Sequence, residues 1–408
     1  MRRRYLILLA LRWFPVGLFV PVSVLLPLDR GLSLVEIGLA VSLQGFVVLG
    51  LELPTGGLSD SWGRRPVLVL AAAVGAVSMA LLAFADTVAM FMVVFVLQGV
   101  YRALDSGPLE AWFVDATLAA DPDAKLERGL SAGGTVSGVA VGAGALVTGG
   151  IVAWAHVPGV PTLAQPIVLG LVVQLAGLVA LALMVDEAPH PTGGRTLLAS
   201  VRDVPRFVVE ATRLVRRSRI LLALIMVELF WGFGMVTFET LMPVRLAELT
   251  GGPEQAALLT GPASAAAWLV SAAGAALVPL LTARIGVGRT AILLRIAQGV
   301  TIVGMGLLAG PIGVLTGFLA CYLTHGAANP VHNTLLHREV TGEHRATVMS
   351  MNSMVAQPAG SLGLIALTAL ATGVSTSFAI VVGAVVLALA APLYLPAARA
   401  ERREPAPV

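Results

Sequence analysis

The side chains best equipped for chemistry lie inside stretches that are otherwise apolar. Gln98, Arg102, Asp105 and Trp112 recur at offsets 0, +4, +7 and +14, the spacing of one helix face. Glu110 stands about 80° away from Arg102 on the same helix. Arg12 and Glu52 occupy two further apolar runs. An ionisable group at bilayer depth costs ~2.5–3.5 kcal/mol on insertion scales, so each of these residues is a functional candidate. A carboxyl there is neutralised either by a proton or by an arginine, and switching between the two is the chemistry of proton coupling. Arg12, Glu52, Arg102, Asp105 and Glu110 are therefore the proton-coupling candidates. The competing reading is a fixed ion-pair network that holds helices together.

A second set is amphipathic. Glu228, Trp231, Met235 and Glu239 follow offsets 0, +3, +7 and +11. Tyr322, His325, Asn329 and His332 make another polar stripe. Aromatic rings and a methionine beside a few acids suit small amphipathic or cationic organic molecules. Together with Gln98 and Trp112, these are the substrate-cavity candidates; ordinary packing is the alternative for Trp231 and Met235. The two histidines lack an evident third ligand, so no metal is expected. The single cysteine, Cys321, excludes an intramolecular disulfide framework and a cysteine-ligated metal site. The absence of HExxH, GxSxG and phosphate-loop motifs argues against an enzyme. No cofactor and no nucleic-acid partner are expected.

The elements that must position these groups follow from composition. Of 408 residues, 57% are apolar and only 12% charged, and there are 44 glycines. Soluble domains carry about 25% charge, so this chain has too little polar surface for water. A helix needs ~20 apolar residues to cross the hydrocarbon core. Twelve such runs are present, the first near 5–28 and the last near 374–397. They lack the alternation of a porin. Met1-Arg-Arg-Arg followed by apolar residues imitates a secretory signal, but the stretch is long and contains Arg12, so an uncleaved first span is expected. With the N-terminus inside, 21 of the 26 basic residues fall in cytoplasmic segments, and only Arg30 and Arg245 fall outside. The positive-inside rule then puts both termini in the cytoplasm.

The expected organisation is an N-terminal six-helix half at 1–185, a cytoplasmic connector at 186–218, a C-terminal six-helix half at 219–398 and a cytoplasmic tail at 399–408. The connector opens on prolines and glycines and turns basic and amphipathic from Arg195 to Arg217, which suits the anionic cytoplasmic leaflet or a solvated linker equally. A faint repeat relates the halves. Leu58-Ser-Asp-Ser-Trp-Gly63 aligns with Leu281-Thr-Ala-Arg-Ile-Gly286 at the equivalent place between helices. Half-chain repeats point to transporters that rock one half against the other.

The segment Gly56-Gly-Leu-Ser-Asp60-Ser-Trp-Gly63-Arg64-Arg65 resembles the loop signature of the major facilitator superfamily, G-x-L-a-D-r-x-G-r-r between spans 2 and 3. Ser61 departs from the usual arginine, which Arg284 supplies in the second half. The resemblance implies an all-α polytopic protein of twelve transmembrane helices in two pseudo-symmetric halves, with spans 1, 4, 7 and 10 around a central cavity. It implies that Gly56, Asp60, Gly63, Arg64, Arg65 and Asp115 form a conformational latch, with Asp60 meeting the start of span 11 and an arginine meeting Asp115. The chain looks most like the twelve-span drug:proton antiporters. Span 5 is glycine-rich (Gly138, Gly142, Gly144, Gly149, Gly150) but lacks their proline, and Phe95 stands where they carry arginine. The function so implied is proton-coupled efflux of a small amphipathic molecule by a monomer in the bilayer of a bacterial cytoplasmic membrane. Uptake symport on the same fold is the alternative, and a non-transporting receptor a more distant one.

Overall fold

The computed structural model describes residues 1–121, 124–155, 157–186, 209, 212–340 and 345–401, and of 53, 56, 57, 59–61 and 345–347 the backbone alone. Most of the basic connector and the last residues of the tail lie outside the described residues. What is described is helical, and twelve helices are long and apolar enough to cross a membrane. Numbered in order, span 1 is Arg2–Val22, span 2 Leu34–Glu52, span 3 Arg64–Phe84, span 4 Val88–Ala120, span 5 Glu127–Trp154 and span 6 Thr162–Met184. Span 7 is Arg219–Thr250, span 8 Pro253–Ile285, span 9 Val287–Leu307, span 10 Gly310–Arg338, span 11 Val348–Gly373 and span 12 Thr376–Glu401. Large apolar side chains such as Phe84, Trp154, Leu269 and Ile312 are exposed on the helix exteriors. Lipid is the solvent in which that arrangement is stable, because a helix satisfies its own backbone there.

The chain forms two compact units. Unit 1 comprises Met1–Ser33, Leu43–Val204 and Pro253–Ala265; unit 2 comprises Leu34–Ser42, Pro205–Gly252 and Ala266–Val408. In unit 1 an apolar cluster centres on Tyr5, Leu8, Leu68, Leu109, Trp112 and Phe113, with Tyr5 stacked on Phe113 at 4.3 Å. In unit 2 the corresponding cluster contains Leu224, Val227, Leu294, Val331, Leu335 and Tyr394.

Glycine sets the closest approaches inside each unit. A Cβ at Gly17 would lie 2.3 Å from the carbonyl oxygen of Val141, so spans 1 and 5 touch backbone to backbone. Spans 7 and 11 repeat the device: a Cβ at Gly232 would lie 2.5 Å from the Ala356 oxygen. Small residues at helix contacts are how membrane helices gain packing when lipid offers no hydrophobic gain. The faint sequence repeat also has a backbone counterpart. Gly63 (φ 91, ψ 161) and Gly286 (φ 82, ψ 162) adopt the same conformation, each making the turn into the next span. That conformation is open to glycine and costly for other residues.

The motif expected as a loop is mostly helical. The helix begun at Leu34 runs through it to Trp62, and the next starts at Arg64, so the turn is Gly63 alone.

Candidate functional site

Span 4 is two helices, Val88–Asp105 and Pro108–Ala120, joined through Ser106 and a left-handed Gly107 (φ 95). Pro108 cannot continue the first helix, since it lacks the backbone donor. The break leaves the carbonyl of Asp105 without a helical partner at membrane depth, and Arg12 of span 1 takes it. Arg12 Nη2 donates to the Asp105 backbone oxygen at 3.0 Å, while its Nε is paired with the Asp105 carboxylate. One guanidinium thus satisfies a helix C-terminus and an acid together, a fork geometry that lysine could not reproduce. Tyr101, one turn earlier, lies beside the pair with Gln174 of span 6, whose Nε2 donates to the Ala72 carbonyl at 3.3 Å. Beside the pair lies a cavity of about 20 Å³ lined by Leu8, Leu11, Leu68, Tyr101 and the pair itself. That is room for a water molecule, and so for a proton carrier.

The break also separates residues that a continuous helix would align. Arg102 and Glu110 are exposed, and Asp105 turns inward to Arg12 rather than to Arg102. Trp112 does not continue the stripe. It is 3% exposed in the core cluster, and its indole N–H donates to the Asp186 carbonyl at 2.9 Å. Offsets counted through Gly107 fail because the second helix starts a new phase. Gln98 and Glu52 are half-buried.

At one end of unit 1, charges pair between neighbouring helices. Arg64 meets Asp115 at 2.5 Å and Arg4 meets Asp186 at 2.5 Å. Arg65 donates to the Ala182 carbonyl at 2.6 Å. Gly56 lies within the helix that runs to Trp62, as does the backbone of Asp60; the Asp60 side chain lies outside the described residues, as does that of Arg345 at the start of the span 11 helix.

Unit 2 holds a longer buried chain of polar groups. Glu228 of span 7, 6% exposed, lies 3.2 Å from His332 Nε2 of span 10. Asn352 of span 11 approaches the same nitrogen at 3.3 Å. The other ring nitrogen, Nδ1, is 2.9 Å from the Tyr394 hydroxyl of span 12. Arg295 of span 9, 1% exposed, donates from Nε to that hydroxyl at 3.4 Å and from Nη1 to Gln298 Oε1 at 3.0 Å. Gln298 in turn reaches His325 Nδ1 at 3.5 Å. His325 stacks on Trp231, ring centroids 5.9 Å apart, and neighbours Phe238 and Tyr322 at 5.8 and 5.9 Å.

Sequence patterning brought Glu228, Trp231, Tyr322, His325 and His332 into view, and these do gather in unit 2. Glu239 and Asn329 are exposed, and Met235 is half-buried. Glu239 leaves the face of Glu228 because it sits in a π-helical turn, Thr237–Leu241, which shifts the helical phase. Arg295, Gln298, Asn352 and Tyr394 did not stand out as site residues. Arg295 carried the one usable signal, a cation inside an apolar run.

Twelve helices long and apolar enough to cross a membrane are those of a multi-pass membrane protein. The chain matches the Major Facilitator Superfamily over residues 5–364 and belongs to that family. The nucleoside transporter NupG superposes with a TM-score of 0.78 at 12% identity, over 97% of this chain and 98% of that one. A structure of proton-dependent oligopeptide transporters superposes at 0.71 and 15% identity, over 99% of each chain. A variant peptide transporter in complex with sulfate gives 0.74 and 13%, over 98% of this chain and 95% of that one. At such identities the likeness is one of fold. No curated protein sequence matches the chain.

Proposed function

We propose that this protein is a proton-coupled secondary transporter of small amphipathic organic molecules, working by alternating access. The observation that carries the reading is the pairing of half-buried Arg12 with buried Asp105, within two helices apolar enough to span a membrane and beside a water-sized cavity. Its carboxylate has two ways to be neutral, the arginine or a proton, and a coupled transporter needs that choice. Glu110 and Glu52, exposed and half-buried in the same unit, are further acids for the proton's route, with Arg102 a nearby cation. The aromatic group of Trp231, Tyr322 and His325, with Gln98, Glu228, Met235, Glu239 and Asn329, is the proposed substrate-recognition set. The pair Arg64–Asp115 supports a latch that also includes Asp60 and Arg65.

Both termini are cytoplasmic in this proposal, supported by the 21-to-2 basic asymmetry, in a monomer of two six-span halves in a bacterial plasma membrane. Export is the direction supported by the sequence resemblance to drug:proton antiporters. Uptake symport is the second reading, supported by the nucleoside and proton-dependent peptide transporters that share the fold. Vesicles with an imposed pH gradient separate the two when offered a nucleoside, a dipeptide and an amphipathic cation. Export predicts that protons moving inward expel a compound preloaded inside; uptake predicts that they concentrate it. A compound that binds without any flux would sink both and leave a receptor.

A further inference from the structure

We infer that Glu228 and His332 form a second proton-binding centre, whose occupancy is relayed to Arg295 by reversing the hydrogen-bond polarity of the chain through Tyr394. Its role in transport rests on the proton-coupled reading above; proton binding itself does not.

The polarity can be worked out donor by donor. Arg295 is a permanent cation and only donates, so the Tyr394 oxygen accepts from its Nε. The Tyr394 hydroxyl proton is then free to point at His332 Nδ1, 2.9 Å away. A neutral imidazole with a bare Nδ1 carries its proton on Nε2, and Nε2 faces two acceptors, Glu228 Oε1 at 3.2 Å and Asn352 Oδ1 at 3.3 Å. Each hydrogen bond of the chain from Arg295 to Glu228 then has one donor and one acceptor when Glu228 is ionised. This tautomer is assigned from the hydrogen-bond network. The cluster is also electrically balanced in that state. Among the described residues no carboxylate pairs directly with Arg295, whose side-chain partners are the neutral Tyr394 and Gln298. Glu228 is the acid whose charge acts with it across the chain.

Adding one proton upsets this arrangement whichever of the two groups holds it. If the proton settles on Glu228 Oε1, the oxygen that faces Nε2, the carboxyl O–H donates to Nε2 and the ring proton moves to Nδ1. If the imidazole keeps it, both ring nitrogens carry protons. In each case Nδ1–H now donates to the Tyr394 oxygen, which already accepts from Arg295. The Tyr394 hydroxyl proton loses its acceptor, and the buried cluster gains a charge that nothing balances. A buried donor without an acceptor is unfavourable, so the added proton biases the helices that hold the cluster towards another arrangement. The groups facing Glu228 from each packed helix are accounted for: Arg295 on span 9, His332 on span 10, the non-titrating Asn352 on span 11 and Tyr394 on span 12. Glu401, at the end of span 12, is engaged elsewhere, accepting from Val287 and Gly288 N–H at 3.0 Å. Glu239 is exposed and sits inside the π-helical turn.

The test is nitrogen NMR of the full-length protein with ring-labelled histidine in lipid nanodiscs, the His332 signals being assigned by their loss in His332→Asn. On acidification Nδ1 of His332 should pass from unprotonated to protonated. The switch should be lost in Glu228→Gln and persist in Tyr394→Phe with a changed midpoint, while Asp105→Asn leaves it untouched. An Nδ1 that keeps one state throughout the folded pH range overturns the proposal, as does an unaltered switch in Glu228→Gln. If Glu228→Gln does not fold, an Nδ1 midpoint in Tyr394→Phe identical to wild type overturns it equally. A working switch without proton-driven flux would refute the coupling reading and leave this centre standing; coupled flux without the switch would do the reverse.

Discussion

Replacing Arg12 by methionine keeps an unbranched, flexible stem and removes the cation that Asp105 faces. At an effective dielectric near 20, two unit charges at about 4 Å attract by ~4 kcal/mol. The Arg12 side chain is 24% exposed and that of Asp105 10%, so part of this is screened. The hydrogen bond to the Asp105 carbonyl adds ~1 kcal/mol. Arg12→Met should therefore lower stability by ~2–3 kcal/mol, held below the full cost of a stranded buried charge because Asp105 can take up a proton. Asp105→Asn should cost less, ~1–2 kcal/mol, since the amide oxygen and the backbone carbonyl still accept from Arg12. The double variant should recover ~1.5–2 kcal/mol of the summed losses, the signature of a direct pair. Reversible unfolding in mixed detergent micelles at matched lipid content measures all three. A coupling energy below ~0.5 kcal/mol would refute the argument that the pair neutralises itself in the folded protein.

Gly17→Ala should destabilise by ~1–3 kcal/mol, because the added carbon meets the Val141 carbonyl. Gly138→Ala, with open space at its Cβ, should be neutral or gain under ~1 kcal/mol; equal effects in the same unfolding assay would contradict the backbone contact. Asp29, in the connection between spans 1 and 2, has its pKa raised by burial and by Glu254, against the lowering effect of Arg30. The folded state then binds more protons than the unfolded one just above the usual aspartate range, so this residue's contribution to stability falls as pH rises through that window. Asp29→Asn should flatten that slope and stabilise at neutral pH, which a pH series of unfolding curves reads directly; an unchanged slope would contradict it. Exchanging the charges of Arg64 and Asp115 should restore transport lost in either single reversal, and Asp60→Asn should impair transport while equilibrium binding survives. Equal loss of binding and transport would argue against a latch.

Much of this was legible in the residues. Apolar run lengths yield the twelve spans, since crossing a bilayer leaves few other choices of length and backbone structure. The intramembrane charges Arg12 and Asp105 were visible one by one because each violates its surroundings. Their partnership was not, because it depends on how spans 1 and 4 approach each other. Helical phase was the less dependable guide. Pro108 signals a kink, but the left-handed turn at Gly107 resets the angle of everything after it, which is why Trp112 is core. The π-helical turn at Thr237–Leu241 similarly parts Glu239 from Glu228, with no marker residue to announce it. Tyr394 occupies a short turn among apolar residues, where nothing in the pattern hints at a buried relay.

In the proposed mechanism, a proton binding at the Arg12–Asp105 pair drives substrate movement. Flux into or out of proteoliposomes tests it, using a compound the wild type moves, with an imposed pH gradient in one arm and substrate counterflow without a gradient in the other. Asp105→Asn and Glu110→Gln are compared with wild type at matched protein levels. Asp105→Asn should lose gradient-driven flux and keep counterflow, since exchange need not move a proton, while Glu110→Gln should show at most a slowed proton-driven rate. Full gradient-driven flux in Asp105→Asn would contradict it and remove the pair from the coupling mechanism.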